Sequence, residues 1–159
     1  MNKQLRRLQD YFGSMYKNDD KAEIQMPNTD RKIVKVSLEA DKRIIKKLEK
    51  FERKQHFLLP DMSLSNMANI FNTNTTYLSV VIKNHKNLNF NAYINNLRID
   101  YIINKLKTSP RYLNYKISYL AKESGFGSHT VFSRIFKEKT GRTPAEFIDL
   151  VRTGGSELL

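Results

Sequence analysis

The sequence predicts an all-α protein, with two helix-turn-helix lobes joined by a long linker helix and about seven helices in all. Three observations predict it. Apolar residues recur at i, i+3, i+4 through most of the chain after residue 40. Asn, Gly and Pro interrupt that pattern where helices have to stop. The second half of the chain also repeats the first, at an offset of 53 and then 54 residues.

Composition narrows the function. A chain of 159 residues has room for one ordinary domain or two small helical lobes. It carries 28 Lys+Arg against 16 Asp+Glu, a formal charge of +12, and a pI near 9.9. A pI above about 9 is the electrostatic footprint of a nucleic-acid binder, although membrane surfaces and acidic partners attract the same charge. No acid occurs between Asp61 and Asp100, the interval that holds Lys83, His85 and Lys86. With no cysteine there are no disulfides, thiolate zinc sites or cysteine nucleophiles, which fits a reducing compartment. His56, His85 and His129 are too scattered for a metal site. No paired acids or Gly-rich phosphate loop suggest an enzyme, and neither a cofactor nor a small-molecule pocket is expected. No apolar run approaches the roughly 20 residues of a membrane span, so a soluble, cytoplasmic chain is expected.

The first 40 residues read as a linker or arm, partly disordered. Leu5, Leu8, Tyr11 and Phe12 make one short stripe; Ile33-Val34-Lys35-Val36 is briefly strand-like without a partner. Asp41 then offers an N-cap to a helix carrying Ile44, Ile45, Leu48 and Phe51 on one side, ending by Leu58-Leu59-Pro60-Asp61. Ser63 caps a helix with Leu64, Met67, Ala68 and Phe71 facing inward. Asn72-Thr73-Asn74 is a turn, and the helix from Thr75 to about Lys86 buries Leu78, Val81 and Ile82.

The longest regular segment runs from about residue 91 to 107. Tyr93, Ile94, Leu97, Tyr101, Ile102 and Leu106 load it too broadly for a helix free in water, so it reads as a strut buried by a lobe on each side. Thr108-Ser109-Pro110 stops it. A short helix with Ile117, Leu120 and Ala121 ends at Gly125; the next puts Phe132, Ile135 and Phe136 inward and stops at Gly141. Thr143-Pro144-Ala145-Glu146 is a complete helix start, with Thr at N-cap, Pro at N1 and Glu closing a capping box.

The repeat pairs Met67-Ala68 with Leu120-Ala121 and then, one residue having been added in the second turn, Thr76-Tyr77-Leu78-Ser79 with Thr130-Val131-Phe132-Ser133. Val81, Ile82, Lys83, Asn87, Tyr93 and Ile94 pair likewise with Ile135, Phe136, Lys137, Gly141, Phe147 and Ile148. Two such lobes on a rigid strut can enter successive major grooves about 34 Å apart.

These residues resemble the DNA-binding domain of the AraC/XylS family. Its first half is matched by Phe90, Tyr93, Ile94, Leu97 and Arg98. Its second half is matched by Ile117, Leu120, Ala121, Gly125, Phe126, Phe132, Ser133, Arg134, Phe136, Lys137, Gly141 and Pro144. The wording from Tyr93 to Ile99 further resembles regulators of Bacteroidetes-type bacteria, where this domain often follows a membrane span. The resemblance implies a domain over residues 41–152, with lobe one at 41–88, the linker helix at 89–107, lobe two at 114–152 and a tail at 153–159. It implies transcription regulation on double-stranded promoter DNA, RNA polymerase as a partner, and self-association through an N-terminal region outside this chain. It also leaves open that the chain is the cytoplasmic fragment of a longer regulator.

Base readout is expected from Thr76, Ser79 and Val80 in the first recognition helix and His129, Thr130, Ser133 and Arg134 in the second. Arg134 can hold guanine O6 and N7 with two hydrogen bonds; a phosphate contact or an i,i+4 ion pair with Glu138 is the alternative. Phosphate contacts are expected from Asn74, Thr75, Lys83, Lys86, Ser128 and Lys137. The short side chains of the first helix put base reading by that lobe in doubt. Arg98 reads as structural, paired with an acid inside the strut. An adaptor of the same fold with weak DNA binding is the competing function.

Overall fold

The computed structural model describes residues 28–154, with side chains from Leu38 onward. The stripe expected at Leu5–Phe12 and the end of the tail lie outside the described residues. The chain divides at Ser37 and Leu38, and all packing below belongs to the unit that starts at Leu38. Seven α-helices and no strand occur among the described residues. They are α1 (Asn28–Arg53), α2 (Leu64–Phe71), α3 (Thr75–Lys86), α4 (Phe90–Thr108), α5 (Ile117–Glu123), α6 (His129–Thr140) and α7 (Pro144–Arg152).

The first helix departs from expectation. It starts at Asn28, so Ile33–Val36 is helical and not strand-like, and Asp41 sits inside the helix as no N-cap can. β-Branched residues are weak evidence for a strand when the helix on their C-terminal side can propagate through them. Asp41 instead accepts a hydrogen bond from the Tyr77 hydroxyl, tying α1 to α3.

Lobe one closes around Ile44, Leu48, Phe51, Phe57, Met67, Phe71, Leu78, Val81 and Ile82. Phe57 reaches that core from a 3₁₀ turn, His56–Leu58, entered through Gln55 at φ 55°. Lobe two closes around Leu106, Tyr112, Leu120, Phe126, Phe132, Phe136, Phe147 and Ile148. Tyr112 is supplied by a second 3₁₀ turn, Pro110–Asn114, so ordered structure of this lobe begins before residue 114. The long α4 belongs to both cores. Tyr93 and Ile94 are buried in the first, Ile99 and Ile102 in the second, and Tyr101 packs against each. That division explains the broad apolar load, because the two ends of α4 pack against different cores, while Asn91, Asp100 and Asn104 stay exposed.

Polar contacts pin the helices. Glu52 on α1 accepts from the Tyr93 hydroxyl at 2.7 Å and pairs with Lys86 Nζ at 2.9 Å. Burial, and then the bond to Glu52, hold the Tyr93 hydroxyl far above the usual phenol range. Lys139 on α6 pairs with Asp100 at 2.6 Å and donates to the Asn96 carbonyl at 3.2 Å, fixing α6 on the linker helix.

Candidate nucleic-acid interface

The two recognition helices, α3 and α6, are built alike. Each is 12 residues long. The Asn74 side chain accepts from the Tyr77 amide at 2.7 Å, and Ser128 Oγ from the Val131 amide at 3.5 Å. Each cap answers an amide that the first helical turn leaves unpaired. At the far ends Asn87 and Gly141 take left-handed φ values of 55° and 76°, the conformation that Gly and Asn tolerate best. Inward, Leu78, Val81 and Ile82 answer Phe132, Ile135 and Phe136; Leu78, Ile82, Phe132 and Phe136 are fully buried.

The turns match as closely. Asn72 and Gly125 are both left-handed, at φ 52° and 84°. The Thr73 amide then donates to Ala68 O at 3.0 Å, as the Phe126 amide does to Ala121 O at 2.9 Å. Both bonds fall at the offset of 53, whereas the N-caps Asn74 and Ser128 fall at 54. The added residue is therefore Gly127, and a Cβ there would meet nothing within 4 Å. Gly125 differs: a Cβ on it would lie 2.6 Å from the Leu58 carbonyl oxygen and 3.0 Å from Arg98 Nε. Asn72, exposed to solvent, meets no such limit.

The outward faces carry the expected readout residues. Thr76, Ser79, Val80 and Lys83 share one side of α3 at i, i+3, i+4, i+7, and Thr130, Ser133, Arg134 and Lys137 share the matching side of α6. Thr76 and Lys83 are exposed, with Ser79 and Val80 half-buried; His129, Thr130, Arg134 and Lys137 are exposed, with Ser133 half-buried. The Arg134 side chain is 61% exposed and pairs with Glu138 at 2.6 Å. An exposed i,i+4 pair of this kind stabilises by only about 0.3–0.5 kcal/mol. So weak a pair leaves the guanidinium open to exchange Glu138 for another acceptor.

The expected phosphate contacts divide. Lys83 and Lys137 stand in solvent, and Thr75 is half-buried. Asn74 and Ser128 spend their side-chain oxygens on the helix starts, beside the open amides that an anion meets there. Lys86 is drawn inward by Glu52 and lies 5.9 Å from the Tyr93 ring centre, its side chain only 26% exposed. Sequence reasoning missed this because Glu52 is remote from Lys86 along the chain. The sequence singles out neither Lys116 nor Lys122, which flank a shallow surface groove of about 590 Å³ with Tyr115 and Tyr119. No helix in the described residues is long and apolar enough to cross a membrane. No group of acidic or histidine side chains among them is arranged to hold a metal ion.

Comparison with known proteins agrees with this geometry. The family described as "Helix-turn-helix domain" matches residues 67–149, just over half of the chain. The TCP pilus virulence regulatory protein of Vibrio cholerae is 35% identical over 72 residues, which are 45% of this chain and 24% of that protein. The chain thus spans about a quarter of the length of the curated relatives it matches. Among solved structures, the C-terminal domain of AraT, a response regulator from Geobacillus stearothermophilus, superposes with a TM-score of 0.59 at 24% identity. That match covers 67% of this chain and 84% of the other. A Chromobacterium violaceum transcriptional regulator, described by its AraC-type DNA-binding domain, gives 0.58 at 16% identity over 74% and 99%. The last two carry the fold alone; with the family match they place both lobes and the linker helix in one scheme. The chain belongs to the AraC-type helix-turn-helix family, and is a DNA-binding domain of the kind that regulates transcription.

Proposed function

We propose that this chain reads a two-part site in promoter DNA, α3 and α6 entering successive major grooves on one side of the duplex, with α6 the stronger reader. The observation that carries the asymmetry is the one outward position where the two helices differ most: exposed Arg134 on α6 against half-buried Val80 on α3. A forked guanidinium can discriminate a guanine by about 1–3 kcal/mol, whereas a valine offers only apolar contact to a thymine methyl. At about 1.5 Å per residue the 19-residue α4 spans roughly 28 Å. That length is of the order of one turn of B-DNA, about 34 Å. Lys83 and Lys137 take phosphates, joined by Lys116 and Lys122, and set orientation more than sequence. The domain boundaries at residues 41–152, with α1 reaching further toward the N-terminus, belong to the same reading. So do a cytoplasmic site of action, contact with RNA polymerase, self-association through a segment outside this chain and the absence of catalytic activity.

The test is selection of sites from random duplex DNA at moderate salt, with wild type beside Arg134→Ala. Enrichment of a site with one strong and one weak half, the strong half lost in the variant, supports the reading. Absence of enrichment, with weak binding that disappears as salt rises, overturns it in favour of an adaptor role.

A further inference from the structure

Among the described residues Arg98 is the charged residue buried deepest, 8% exposed, and it is placed where the two lobes meet on α4. Its Nε donates to the Phe57 carbonyl at 2.7 Å and Nη2 to the Leu59 carbonyl at 2.8 Å. These carbonyls leave the 3₁₀ turn of lobe one. From the other side, the Phe126 ring of lobe two lies 5.6 Å from the guanidinium carbon. Gly125, next to it, brings its backbone so close to the Leu58 carbonyl and to Arg98 Nε that a Cβ would collide. Phe57 and Tyr101 add an edge contact across the same junction, ring centres 6.5 Å apart. Among the described residues no carboxylate pairs with Arg98 within salt-bridge distance, contrary to the acid expected from the sequence, and burial lowers its proton affinity from the usual arginine value.

A buried cation without an anion is costly unless its hydrogen bonds are made. Leucine or methionine would fill the space, so the cost asks for a function. Only a planar fork satisfies two carbonyls of one turn while offering its face to an aromatic ring of another lobe. We infer that Arg98 is a positioning residue, a clamp joining the Phe57–Leu59 turn to the Gly125–Phe126 turn, which sets the distance and rotation between the two recognition helices and so the half-site spacing the protein accepts. This rests on the two-part reading above. It places specificity in a residue that touches no base: one added base pair rotates a half-site by about a tenth of a turn, and a rigid junction penalises that rotation.

The experiment uses the wild-type chain's selected duplex, with the distance between the half-sites changed one base pair at a time, and a duplex carrying the strong half alone. Binding of wild type, Arg98→Met and Arg98→Lys is measured on each, with helicity by circular dichroism as the check of folding. Wild type is expected to show a sharp optimum. Both variants are expected to bind the optimal duplex about tenfold more weakly and to show a flattened spacing profile, while affinity for the single half-site is unchanged. Lysine retains the charge but cannot fork across both carbonyls, and it carries the test if the methionine variant does not fold. A sharp profile in Arg98→Lys, with wild-type affinity, overturns the clamp alone. A flat profile in wild type overturns the two-part reading and the clamp with it.

Discussion

Lobe one and lobe two solve the same structural problem with different residues, and the differences fall in separate places. The capping positions are held to a narrow menu: Asn74 against Ser128, Asn87 against Gly141, each doing the same job at the same point. Core positions trade one apolar side chain for another, Leu78 for Phe132 and Ile82 for Phe136. Outward positions have no such limit, so Val80 stands where Arg134 does. What positions a recognition helix is shared, and what such a helix reads is free to diverge. Gly125 shows the exception, because its backbone lies against the Leu58 carbonyl and Arg98, whereas the matching Asn72 is exposed to solvent.

Breaking the shared part should give the largest effects. Leu78→Ala and Phe132→Ala truncate matching, fully buried side chains. The expected losses are about 2–5 and about 3–5 kcal/mol of stability respectively, read by thermal or denaturant unfolding. Because α4 lies in both cores, each variant should still unfold in one transition; two separated transitions would show the lobes to be independent.

Exchanging the divergent part should give an intermediate effect on binding and little on fold. Val80→Arg should sharpen the weak half of the selected site toward a guanine, with a gain of about 1–3 kcal/mol in discrimination. Arg134→Val should make the two halves alike. Competition binding against single-base variants of each half-site reads both; unchanged preferences in both would remove position 80/134 from the readout.

The smallest effect concerns the start of α7, which has no complete counterpart in lobe one. Glu146 accepts from the Thr143 amide at 2.7 Å, and that bond, followed by the Thr143 hydroxyl, holds its carboxyl below the ordinary range. A depressed carboxyl contributes stability above its unfolded pKa and loses it as pH falls through the folded value. Glu146→Gln should therefore lower stability slightly at neutral pH, where the carboxylate's contribution is full, and flatten the acid limb of the stability curve below about pH 4.5, where the two proteins converge. Parallel acid limbs in wild type and variant would show that the capping bond is made in name only.

Much of this was legible because it is local. Caps and i,i+3/i+4 stripes are read within a few residues and the repeat by laying the two halves together, and Ser63, Thr143 and Gly141 stand as the sequence predicts. Contacts that span about 40 residues were not. Arg98 finds carbonyls where the sequence suggested an acid, and Lys86 is diverted by Glu52. Nor did local signals disclose Phe57 and Tyr112, since a short 3₁₀ turn has no period from which burial can be inferred. The start of α1 went unread for a different reason: an acidic residue at Asp41 resembles a cap whether or not the backbone is already helical.

The sharing of α4 also has a consequence during synthesis. A chain emerging from its N-terminus completes lobe one once Leu97 and Tyr101 are available, but Ile99, Ile102 and Leu106 then wait for partners that come between Tyr112 and Ile148. Until those arrive, the far half of α4 presents an unsheathed apolar seam on an otherwise finished lobe. Prematurely terminated chains ending just beyond α4 should thus be sticky, drawn to chaperones or to each other, although every helix they contain is correctly formed.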